Sequence, residues 1–191
     1  TAVAQVHRRR VEISEFNERV ESVRRHSEVQ VDSLTGLLAR SRFLRAGTEE
    51  MERARRYGLP LSLLVVDVDC LRAINEAHGE RVGDEVLCSV SDRVVAKVRH
   101  RDIVGRHGGR FAVLLVETGR VSAVALSDRL CESIAAAPVS TSAGQLAVTA
   151  KIGLTEIVPD TDNLLEAFAQ AEFALHLAKQ GGRSARATMP T

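Results

Sequence analysis

Ile103-Val104-Gly105-Arg106-His107-Gly108-Gly109-Arg110-Phe111-Ala112-Val113-Leu114-Leu115-Val116 carries two strand-like stretches, 103–106 and 111–116, on either side of a glycine pair. Runs of this kind broken by Gly-Gly read as two strands joined by a tight hairpin turn. Upstream, Leu61 to Val68 is a nearly continuous apolar run, the pattern of a strand buried on both faces. The segments around these strands read as helices. One covers about 42–57, with Ser41 as N-cap and Gly58 and Pro60 as its end. A short helix over 71–77, a longer one over 82–98, and two more over 121–136 and 163–180 follow, the last closed by Gly181-Gly182. Leu146 to Val158 alternates and reads as a single strand, and Thr188 as the end of a last short one. The order α, β, α, α, β-hairpin, α, β, α predicts an α+β domain with a mixed sheet.

Residues 3–31 contain no Gly or Pro and are rich in charge. Val6, Ile13 and Val20 recur every seven residues, with Phe16 and Val23 between them, an a/d seam over roughly three heptads. A seam this narrow is expected to pair with a copy of itself as a coiled-coil stalk, or else to lie on the domain as an amphipathic helix. The chain therefore divides into a helical stalk over 1–31 and a globular domain over 32–191. The full length is 191 residues with formal net charge +1, so no general attraction to nucleic acid or an anionic membrane is expected. No apolar run approaches the roughly 18 residues of a membrane span, and no secretory signal is visible. The chain begins with Thr rather than Met and is expected to be part of a longer protein with further domains. Cys70, Cys88 and Cys131 are widely spaced and form no metal motif, as in a reduced cytoplasmic domain.

Four constellations carry possible chemistry. Asp67 and Asp69, two apart at the end of the buried strand, present carboxylates on one face; they suit either a divalent cation or the cap of the next helix. Asn75 and Asp84 have the donors and acceptors to read a purine edge, and equally suit turns and helix ends. Lys179 and Arg183 flank the Gly181-Gly182 turn, as a phosphate grip or as complement to a helix C-terminus. Arg99 and Asp102 close the long helix with a fork and an acceptor suited to guanine or phosphate, or simply as a basic helix end.

Taken in order, Asp32-x-Leu-Thr-Gly-Leu, Asp67-x-Asp, Ile74-Asn75, Gly79, Gly83-Asp84, Arg99-x-x-Asp102, Arg106-His107-Gly108-Gly109, Ala178-Lys179 and Arg183 resemble the motif series of the GGDEF (diguanylate cyclase) family. The resemblance covers about 32–188. It implies a palm-like nucleotide-cyclase fold with a mainly antiparallel central sheet, and condensation of two GTP molecules to cyclic di-GMP on a dimer with Mg2+ or Mn2+. By position it implies that Asp67 and the Val68 carbonyl hold the metal. It further implies that Asn75 and Asp84 hold guanine, Lys179 and Arg183 the distal phosphates, and Arg99 and Asp102 an inhibitory product site.

The signature loop departs from the family. After Gly108 and Gly109 the family has two acids before Phe; here a single residue, Arg110, precedes Phe111. The loop is one residue short, a metal ligand is lost, and a guanidinium takes its neighbourhood. A positive charge a few ångströms from Mg2+ costs on the order of several kcal/mol at a partly buried site. Lys151 also stands where Ser is common. The expectation is a catalytically inactive GGDEF-type regulatory domain that dimerises through its N-terminal helix and takes GTP or cyclic di-GMP, with Mg2+ or Mn2+ accompanying GTP. The alternatives are a weakly active cyclase that ligates metal through Asp67 and Asp69, and a ligand-free dimerisation scaffold.

Overall fold

A computed structural model describes residues 30–180 and the backbone of 186–188. The stalk over 1–31, apart from its last two residues, and Arg183 with the Gly181-Gly182 turn lie outside the described residues. Eight strands form in chain order: β1 (Leu38–Ala39), β2 (Leu61–Val68), β3 (Ile103–His107), β4 (Arg110–Val116), β5 (Val139–Thr141), β6 (Gly144–Leu146), β7 (Ala150–Ile157) and β8 (Arg186–Thr188). The helices are α1 (Arg40–Tyr57), α2 (Leu71–His78), α3 (Glu80–Val95), α4 (Arg120–Ala135) and α5 (Leu164–Gln180). Six strands make one sheet in the order β1-β3-β4-β2-β7-β8, and β5 and β6 form a separate ribbon. The four inner strands are mutually antiparallel, while β1 and β8 join the edges in parallel, so the sheet is mixed and mainly antiparallel. The order β3-β4-β2-β7, with helices in the two crossovers, is the split βαβ arrangement.

Side-chain alternation along the three central strands explains the layers. Leu64 and Val66 of β2, Phe111, Val113 and Leu115 of β4, and Ile152 and Leu154 of β7 pack on α3 and α4. Leu61, Leu63 and Val65, with Ala112, Leu114 and Val116, face α1 and α5 through Phe43, Met51, Phe168 and Leu175. Because β2 is covered on both sides, its sequence is apolar at nearly every position and its one half-buried residue, Asp67, stands out. α5 can lie this close to β7 only because of Gly153: a Cβ there would fall 2.0 Å from the Ala171 carbonyl oxygen and 2.4 Å from the Leu175 nitrogen.

Several boundaries differ from those expected. α1 starts at Arg40 with Ala39 as its N-cap and no side-chain cap, so Ser41 lies inside the helix; Gly58, at φ 63°, ends it as expected. The alternating stretch from Leu146 is not one strand: it splits into the end of β6 and the separate β7, because Val148 turns into the core between them. β1 and β5 are too short to carry a periodic signal. The hairpin is tighter than its apolar runs suggest, with His107 opposite Arg110 and only Gly108-Gly109 in the turn. Gly108 adopts φ 64°, which a side chain would resist.

The junction motif has a structural role. The Asp32 carboxylate accepts from the Thr35 backbone N–H at 2.9 Å, the Thr35 hydroxyl at 2.8 Å and both oxygens from Arg106 at 3.0 and 3.1 Å. Arg106 in turn donates through Nε to the Gly108 carbonyl at 2.7 Å. The start of the domain is thereby tied to the signature turn. Burial works to raise the Asp32 pKa, but the hydrogen bonds from Arg106 and Thr35 and the Arg106 charge together hold it below the usual value.

Two outcomes test this architecture. Gly153→Ala should destabilise the domain by about 3 kcal/mol or more, read as a lowered urea midpoint, because backbone on α5 must move to admit the methyl group. Asp32→Asn should cost about 1–3 kcal/mol at pH 7. A lowered carboxyl pKa gives stability that is present above the unfolded value and lost as pH falls through the folded one, so the gap between Asp32→Asn and the parent should close below roughly pH 4. A gap unchanged down to pH 3 would contradict the role of the charge.

Candidate functional site

The end of β2 is where the sheet opens into a polar cleft. The β2–β4 register sets Asp67 directly opposite Arg110, and the β2–β7 register sets Lys151 on its other side. Arg110 belongs to β4 because the turn is only two residues long, and its side chain leaves the strand on the same face as Asp67. Arg110 Nε donates to Asp67 Oδ1 at 2.9 Å, and Lys179 Nζ, from the end of α5, reaches Asp67 Oδ2 at 2.5 Å. The guanidinium also meets Glu172 Oε1 at 3.3 Å, one helical face back from Lys179. One carboxylate is thus held between two cations, each oxygen engaged by one of them.

Asp69 does not join this group. Its Oδ1 accepts from Lys151 Nζ at 2.7 Å and its Oδ2 from the Thr149 hydroxyl at 2.6 Å. The two carboxylates expected to share a cation are therefore neutralised by separate basic side chains, Asp67 by Arg110 and Lys179 and Asp69 by Lys151. Among the described residues no three His, Cys, Asp or Glu side chains gather as a metal site. A dication about 4 Å from a single guanidinium is opposed by roughly 8 kcal/mol at an effective dielectric of about 20. The donor set around Asp67 and Val68 does not fit the divalent cation that the family resemblance implies.

A cavity of about 490 Å3 opens over this cluster, lined by Asp67, Leu71, Arg72, Gly109, Arg110 and Lys179 among others. Asn75 and Asp84 stand on the neighbouring helices α2 and α3. The Asn75 carboxamide lies across Gly83, where a Cβ would fall 1.7 Å from its Oδ1. That oxygen is buried without a hydrogen-bond partner, whereas Asp84 is exposed. Glycine at 83 is thus what lets Asn75 turn inward. Arg99 is exposed. Asp102 beside it is committed to the backbone: Oδ2 accepts from the Arg99 N–H at 2.8 Å and Oδ1 from the Val116 N–H at 3.1 Å. Its carboxylate staples the loop before β3 to the end of β4.

Two residues given no role in the sequence expectations, Glu172 and His107, shape the cleft. Glu172 is seven residues before Lys179, two helical turns along one face, and that spacing was the available signal. His107 stacks on Phe168 with centroids 4.9 Å apart and meets Phe43 edge-on at 5.8 Å. Burial, with a contribution from the Arg40 charge, pushes its pKa down to about 4, so the ring is neutral at pH 7. On the far side of Arg110 lies a second cavity of about 460 Å3, bounded by Arg40, Leu44, Phe168 and Glu172. Arg110 and His107 line both cavities and stand between them.

Comparison with known proteins agrees with this fold. The family described as "Diguanylate cyclase, GGDEF domain" matches residues 29–185. Diguanylate cyclase DosC of Escherichia coli is 34% identical over 176 residues, covering 90% of this chain and 37% of that protein. Cyclic di-GMP phosphodiesterase NbdA of Pseudomonas aeruginosa is 33% identical over 154 residues, covering 80% of this chain and 20% of that protein. The chain thus spans little more than a third of the length of the first of these relatives and a fifth of the second. The GGDEF domain of TpbB (YfiN) from Pseudomonas aeruginosa superposes with a TM-score of 0.79 at 29% identity, over 84% of this chain and 94% of that one. The split βαβ sheet, the motif series along it and these matches agree: the chain belongs to the GGDEF family.

Proposed function

We propose that this chain is a regulatory GGDEF domain of cyclic di-GMP signalling that does not itself make the dinucleotide. The double clamp on Asp67 carries the proposal. Phosphoryl transfer in this family, as the resemblance implies, depends on a cation held against the phosphates, and such catalysis rests on that register. Here the signature acids are missing, and Arg110 and Lys179 occupy both oxygens of the remaining ligand. The match to a protein named as a phosphodiesterase, of which it covers 20%, supports a domain that serves a neighbour's activity.

Of the two ligands in view, GTP is favoured over cyclic di-GMP. The cleft keeps Lys179 on its wall; Asn75 stands on α2, which carries Leu71 and Arg72 of its lining, and Asp84 on α3, which follows. The alternative pocket would need Asp102, whose two oxygens already accept backbone N–H groups. Dimerisation is assigned to residues 1–31 on the strength of their heptad spacing, and additional domains are assigned to the full-length protein because its relatives are longer. We place the domain in the cytoplasm; among the described residues no helix is long and apolar enough to cross a membrane.

Two measurements test the proposal. Incubation with GTP and Mg2+ or Mn2+ should yield no cyclic di-GMP above a protein-free control; accumulating product would contradict it. The mass in solution of the 191-residue chain should be that of a dimer, and removal of residues 1–29 should give a monomer. A monomeric parent chain would rule out the stalk.

A further inference from the structure

The misfit between the cleft and a divalent cation has a positive counterpart, which rests on the proposed silence of the domain. Arg110 anchors through Nε on Asp67, in the place that the family resemblance gives to the metal. It faces the cavity of about 490 Å3 together with Lys179. The other Arg110 contact is of a different kind. Glu172 Oε1 approaches Nη1 at 3.3 Å, the longest of the contacts in this cluster, and the Glu172 side chain is 54% exposed against 16% for Asp67. Exposed ion pairs of this length contribute little. Asp67, set by the strand register and shielded, is a fixed anchor; Glu172, on the rim of α5, is replaceable.

We propose that the cleft is a metal-independent site for a polyphosphate anion, in which the Arg110 guanidinium stands in for the divalent cation and Glu172 is the counter-ion that the ligand displaces. An incoming phosphate in the 490 Å3 cavity accepts from the Arg110 guanidinium and the remaining N–H groups of Lys179, and draws the fork away from Glu172, which meets it from the adjoining cavity. Arginine forks suit phosphate oxygens in this way. Asp67 keeps both cations oriented, as it would keep a metal. The local charge is even: Arg110 and Lys179 are balanced by Asp67 and Glu172. Since no ligand position is left for Mg2+, chelation of the phosphates by Mg2+ lowers their charge without adding a contact.

Calorimetric titration of the 191-residue chain with inorganic pyrophosphate and, separately, with GTP tests this, first in EDTA and then in Mg2+. Both should bind in EDTA at least as tightly as in Mg2+. Arg110→Gln should weaken both by roughly tenfold or more. Glu172→Gln should tighten both by roughly threefold. No binding in EDTA, binding only with Mg2+, unchanged affinity in Arg110→Gln, or weaker binding in Glu172→Gln would each overturn the inference. The two variants have opposite signs, so a folding defect cannot imitate the expected pair. Cyclic di-GMP formation separates the two levels. Product formation would sink the silent-domain proposal, whereas absence of both product and metal-free binding would leave that proposal standing and remove this inference.

Discussion

The carboxylate of Asp67, gripped on one oxygen by Arg110 and on the other by Lys179, is the contact on which the character of this cleft depends. A half-buried acid at the end of a buried strand is costly unless it is paired. In a cation-binding relative of this fold, the partner would be a metal. Here it is protein, supplied by two elements that the topology brings to the same spot: the strand that follows the signature turn and the C-terminal end of α5. In the function proposed, the same two side chains that neutralise the acid also oppose a dication, so the stability of the cleft and the proposed loss of metal chemistry have one cause.

That cause is geometric before it is electrostatic. With one residue fewer in the loop, Gly108-Gly109 closes the hairpin in two residues and Arg110 enters the ladder opposite Asp67. A longer loop would carry the residue before Phe111 outside the paired strand. The change spreads no further, because Phe111 and the alternation after it keep the core of β4 intact on both faces. Lys151 completes the pattern by neutralising Asp69 from β7. The Asp32–Arg106–Gly108 chain then ties this turn to the point where the N-terminal segment enters, a physical connection between the turn and whatever precedes the domain.

Much of this was legible in the sequence. The hairpin, the buried strand and the five helices came from apolar period and glycine punctuation, and the motif series gave the family. What escaped was set by tertiary pairing. Ser41 has the chemistry of an N-cap, but the helix begins two residues before the expected start, at Arg40, where β1 hands over to it. Val148 looked like part of a continuous strand because alternation cannot reveal that a residue turns into the core between two strands. Asp67 and Asp69 shared a face by spacing, yet the basic residue next to each is contributed by a different strand, which no local pattern reports. Arg99-x-x-Asp102 read as a ligand motif, and no local pattern reports that Asp102 also accepts two backbone amides, one of them from β4. Glu172 was visible only as a helix position.

The most direct test of the central claim is anomalous diffraction at the manganese edge from crystals grown with Mn2+ and GTP. The predicted result is no manganese peak beside Asp67, with the Arg110 guanidinium still within hydrogen-bonding distance of its carboxylate. A manganese peak bridging the Asp67 carboxylate and the Val68 carbonyl oxygen, with Arg110 swung away, would contradict it.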